Sequence, residues 1–71
     1  MIYVVGGNLT EAEAFARRCQ RGDCVPFDSP EALEGLVTPE VILTGTFIAR
    51  HDATSFYRAL KAVAATYRYV R

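Results

Sequence analysis

The chain has 71 residues, 51% of them hydrophobic and 23% charged, with eight basic side chains, eight acidic ones and no net charge. That length fits one domain, which buries only about 60% of the surface its unfolded form exposes, so its core is thin. The composition excludes a disordered chain, the charge balance removes any general pull toward nucleic acid or anionic lipid, and no apolar run approaches the ~20 residues of a membrane-spanning helix.

Met1 leads directly into Ile2-Tyr3-Val4-Val5, with no basic start and long apolar stretch, so a cytoplasmic protein is expected. Ile2–Val5 is an unbroken β-rich run, as in a central strand covered on both faces. Gly6-Gly7-Asn8 breaks it. Thr10-Glu11-Ala12-Glu13 then fits a capping box, with Thr10 as the cap, Glu13 reaching back and Leu9 as the staple. The helix is predicted to run to Gln20 or Arg21 and stop at Gly22, with Ala12, Phe15, Ala16 and Cys19 facing inward.

Cys24-Val25-Pro26-Phe27 reads as a second strand, placed at an edge because Pro26 lacks an amide donor. Ser29-Pro30-Glu31 starts a short helix that ends near Gly35, with Leu33, Leu36 and Val37 turned to the core. Val41–Thr44 is the third strand. Residues 45–51 are compatible with a strand extension or an ordered loop. The last helix is expected to begin at Asp52 or Thr54 and run almost to the end, since Phe56, Leu60, Val63, Ala64, Tyr67 and Val70 recur at helical spacing. Alternating strands and helices give an α/β fold of βαβαβα order. Its three layers enclose a short parallel sheet of order 2-1-3, in a half-Rossmann or flavodoxin-like arrangement.

Few residues carry recognisable chemistry. Cys19 and Cys24 lack C-x-x-C spacing, and His51 is the single histidine, so neither a closed zinc site nor any other cofactor is expected. The two thiols read as reduced and buried. His51 and Asp52 are adjacent, which points them apart on an extended chain and makes no base–orienter pair. Tyr57, Tyr67 and Tyr69 lie among Arg58, Lys61, Arg68 and Arg71, but this pattern is read as a solvated face and not as a nucleic-acid surface.

In a 2-1-3 sheet, ligands bind where the chain changes direction, outside the carboxyl ends of strands 1 and 3. There the sequence places Gly6, Gly7 and Asn8 on one loop, and Thr46 and Arg50 on the other. Free amides at a helix start, a hydroxyl and a guanidinium suit a phosphate or carboxylate. Against that, both G-x-G-x-x-G and the Walker pattern are absent, and Glu11 and Glu13 oppose an anion. If the site is real, Arg50→Ala weakens anion binding without unfolding the domain.

Val4-Val5-Gly6-Gly7-Asn8-Leu9-Thr10-Glu11, Pro30-Glu31-Ala32-Leu33-Glu34-Gly35-Leu36 and the stretch from Thr44 to Asp52 resemble small uncharacterised proteins encoded by bacteriophages, particularly those of actinobacteria. The resemblance spans most of the chain. It implies a viral origin, a bacterial host cytoplasm and a module that binds a host or phage protein, and it carries no activity with it.

Two readings follow. One is a non-enzymatic interaction module that also forms a homodimer, either through an open edge at Val41, Ile42 and Leu43 or through the small residues around Ala62 on the last helix. The other is a module that binds a nucleotide or another anion at the strand ends.

Overall fold

The computed structural model describes residues 2–19 and 22–70. Its sheet has four parallel strands in the order β2-β1-β3-β4: β1 Ile2–Val5, β2 Cys24–Phe27, β3 Glu40–Thr44 and β4 Thr66–Val70. Two α-helices, α1 (Leu9–Arg18) and α2 (Ala53–Ala62), and two 3-10 turns, Pro30–Leu33 and Phe47–Ala49, make the connections. The expected 2-1-3 core is therefore present, with β1 buried at its centre and β2 at one edge. A fourth strand extends it.

Side chains alternate across the sheet. Val5, Val41 and Leu43 share one face and pack with Leu33, Phe47, Phe56 and Leu60 into the main core. Tyr3 and Phe27 close the β2 side of it, with ring centroids 4.7 Å apart. Ile2, Val4 and Ile42 lie on the opposite face and are also buried. Right-handed crossovers put α1 on that face and α2 on the other, because the β1-to-β2 step through α1 and the β3-to-β4 step through α2 run in opposite directions across the sheet. The inward side of α1 is Ala12, fully buried, with Phe15, Ala16 and Cys19 half-buried.

Several expectations are corrected. The cap of α1 is Asn8, whose Oδ1 accepts from the Glu11 amide at 2.9 Å, while Thr10 lies inside the helix. Asn8 caps the helix two residues before Thr10, and Glu11, three residues on, turns its carboxylate to the Gly7 amide and not to the cap residue's own. Gln20 and Arg21, where the helix was expected to end, lie outside the described residues. The Pro30 segment makes only a 3-10 turn; Leu33 is fully buried, but Val37 is 87% exposed. Cys19 and Cys24 form no disulfide, and both are half-buried rather than sealed.

The largest correction concerns the end of the chain. The last helix stops at Ala62, and Thr-Tyr-Arg-Tyr-Val continues as β4. Two backbone bonds turn the chain: the Ala65 amide donates to the Leu60 carbonyl at 2.9 Å, and the Ala64 amide to the Lys61 carbonyl at 3.1 Å. This is a Schellman stop, in which the residue after the cap adopts positive φ. Ala64 fills that position at φ 52°, where an L side chain costs roughly 1–2 kcal/mol. Ala64→Gly is expected to raise stability by about 0.5–1 kcal/mol, after allowing for glycine's greater unfolded freedom. Urea denaturation checks this, and a loss of stability contradicts the strain.

With β4 in place, β3 has a neighbour on each side, and Val41, Ile42 and Leu43 are all at or below 3% exposure. They offer no edge for self-association. Nor does the alanine stripe exist as a helix surface, since Ala62 is the last residue of α2 and Ala65 turns in to pack on the core. The open edge opposite β2 is β4. No helix among the described residues is long and apolar enough to cross a membrane.

Candidate functional site

The carboxyl ends of β1 and β3 meet as expected, and Gly6, Gly7, Asn8, Thr46 and Arg50 gather around them. The way they are used differs from the expectation. Glu11 projects from the first turn of α1, and its Oε1 accepts three hydrogen bonds: from the Gly7 amide at 2.6 Å, the Thr46 amide at 3.0 Å and the Thr46 hydroxyl at 3.0 Å. The donors that suit an external anion thus converge on the protein's own carboxylate. The loop glycines serve this contact. A Cβ on Gly6 would stand 2.8 Å from the Glu11 Cβ, and one on Gly7 would collide with the Thr46 hydroxyl. Neither needs positive φ, whereas Gly45, at the end of β3, does at 63°.

These bonds hold the Glu11 carboxyl below the usual carboxylate range, the Thr46 amide contributing most and the Gly7 amide next. A depressed folded-state pKa gives stability that is present above the unfolded value and is lost as pH falls through the folded one. Glu11→Gln is therefore expected to melt below the wild type at neutral pH and to lose less between about pH 5 and pH 3. Melting curves of both proteins across that range test it; parallel pH profiles rule out the role given to Glu11.

Arg50 is committed more completely still. Its Nε and Nη2 form a fork on Asp52, at 2.7 Å to Oδ1 and 3.1 Å to Oδ2. Nη1 donates to the Gly6 carbonyl and to Asp28 Oδ1, both at 3.0 Å, and Nη2 donates to the Asp28 carbonyl at 3.0 Å. A guanidinium has five N–H donors, and here five bonds use them. The group lies 4.8 Å over the Phe56 ring, and the side chain is 11% exposed. Arg50 thus ties the ends of β1 and β2 to the start of α2. Its hydrogen bonds are the main reason that Asp52 is held below the usual carboxylate range.

His51 is exposed. A shallow hollow of about 380 Å³ lies nearby, lined by Ser29, Pro30, Glu31, Glu34, Asp52 and Ser55. No group of three or more histidine, cysteine or carboxylate side chains suited to a metal ion occurs among the described residues.

The feature not expected from the sequence is the β4 edge. Thr66, Tyr67, Arg68 and Tyr69 are all exposed, Tyr67 at 47% and Tyr69 at 40%. An aromatic chain runs outward from the core to this edge: Phe47 to Tyr57 at 5.7 Å between centroids, then Tyr57 to Tyr67 at 5.9 Å. The Tyr69 hydroxyl donates to the Gly45 carbonyl. The alternation Thr-Tyr-Arg-Tyr-Val was the available sign of a strand, masked by the helical spacing of Tyr67 and Val70. Comparison with known protein families, curated proteins and solved structures finds no match for this chain.

Proposed function

We propose that the chain is a small interaction module, without catalytic chemistry of its own, that binds protein through the β4 edge and the tyrosines beside it. The observation that carries this is an exposed strand with one unpaired side, bordered by Tyr57, Tyr67 and Tyr69. Open edges add a strand from a partner, and tyrosine is enriched among the residues that dominate binding energy. The resemblance to phage-encoded proteins makes a host or phage protein the partner class. The anion-binding reading is weaker, because its donors are spent on Glu11, Asp28 and Asp52.

The test is affinity capture from a bacterial lysate with the wild type and with Tyr67→Asp, after the two are shown to melt alike. Retention of a protein by the wild type alone supports the reading. Equal retention by both, or a melting temperature raised by millimolar nucleotide or inorganic phosphate, overturns it in favour of another surface or of the strand ends.

A further inference from the structure

We infer that β4 pairs with β4 of a second copy of this chain, antiparallel and centred on Tyr67, joining two sheets into one of eight strands. This rests on reading β4 as the binding edge and names its partner. The argument begins with the backbone. The Thr66 amide donates to the Pro39 carbonyl at 2.9 Å, so Thr66 points its amide toward β3. Amide and carbonyl directions alternate along a strand. Tyr67 and Tyr69 therefore direct theirs away from the sheet, as a free ladder. A two-fold axis through Tyr67 lets the two copies of that residue exchange both of their backbone bonds, as a hydrogen-bonded antiparallel pair.

Charge selects the register. A two-fold axis perpendicular to the sheet keeps each residue on its own face, so the centre falls on a residue. Centring on Arg68 would set two guanidinium groups directly opposite, at about 4.5 Å between Cα atoms, and like charges there are destabilising. Centring on Tyr67 instead sets Arg68 of one copy opposite Thr66 of the other. Thr66 is the register partner of Glu40 in β3. The Arg68 side chain then lies two strand spacings from Glu40 of the other copy, about 9–10 Å between Cα atoms, and on the same face. That distance is within the combined reach of the two side chains. Glu40 and Arg68 are both exposed, and neither enters an ion pair within the chain among the described residues. They border, with Thr66, a hollow of about 120 Å³. The symmetry makes this pairing twice. On the opposite face the two copies of Tyr67 meet, each backed by Tyr57. The other edge is less suited, because Pro26 lies within β2.

Sedimentation equilibrium on the intact chain decides. The wild type is expected to be half dimeric at a concentration on the order of 50 μM, as a small interface allows. Arg68→Glu and Glu40→Arg should each weaken the dimer about tenfold, and the double variant Arg68→Glu/Glu40→Arg should return to within about threefold of the wild type. Both positions are exposed, and unchanged far-UV circular dichroism verifies that each variant is folded. Tyr67→Pro removes an outward amide without removing a β3–β4 bond, and should also give monomer. A dimer indifferent to Arg68→Glu and Tyr67→Pro overturns the β4 arrangement. A wild type that is monomeric to about 500 μM overturns self-pairing outright, while the capture experiment separately decides whether the same edge holds another protein.

Discussion

Replacing Arg50 with alanine is expected to destabilise the domain by about 3 kcal/mol, through loss of a charged anchor and not of a ligand contact. The change strands Asp52 and Asp28 without their cation and leaves the Gly6 carbonyl at the end of β1 without its donor. It also uncovers the Phe56 ring. The cost stays below that of a fully buried triad because Asp28 is 49% exposed and water takes up part of its charge. For a chain of this size the melting temperature should fall by roughly 10–20 °C. Arg50→Lys is expected to recover less than half of that, since an ammonium cannot fork onto Asp52 while also reaching Asp28 and Gly6. A variant that melts within about 3 °C of the wild type would show that the hydrogen bonds contribute little net stability.

The second large effect is expected at Phe47. This ring is fully buried and packs edge-on against Phe56 at 5.6 Å and Tyr57 at 5.7 Å. Phe47→Ala should cost about 3–5 kcal/mol. A 71-residue domain has about 4–10 kcal/mol in all, so the loss takes a large share of the total and the urea midpoint should fall steeply. Its neighbour Ile48 is 69% exposed, and Ile48→Ala should lie within about 0.5 kcal/mol of the wild type. Urea denaturation of both variants tests the contrast, and similar losses at the two positions would mean that Phe47 is not the keystone of this turn.

The parts of the fold legible in the sequence are those written in composition over a few residues. Ile2–Val5 is a continuous apolar run, and Pro26 sits within the next strand, so β1 falls at the centre and β2 at an edge. What was hidden depended on single backbone angles or on distant partners. Ala64 occupies a left-handed position without glycine's signature, so nothing in the composition marks the end of α2. Tyr67 and Val70 fit a helical stripe and a strand equally, and the turn at Ala64 decides between them. At the strand ends the sequence marks the loops but not the sense of the charge. By local pattern Glu11 opposes an anion, whereas in the fold it is itself the anion that Gly7 and Thr46 bind. Thr46 lies 35 residues from Glu11, and no local spacing rule reaches that far. Arg50 likewise bonds Gly6 across 44 residues and Asp28 across 22.

The strand order also bears on how this chain reaches its fold. Every ladder in the sheet joins parallel strands, so none closes through a tight hairpin. β1 leaves the ribosome before its neighbours yet holds a central place, and it cannot be flanked on both sides until Glu40–Thr44 has followed. Until then Ile2, Val4 and Val5 have only one half of their eventual shelter. Loops of this length must close before any pairing rewards them, so refolding should be slower than in a helical chain of equal size. A chain in which β3 has not yet docked leaves one edge of β1 unpaired, and unpaired strand edges favour aggregation.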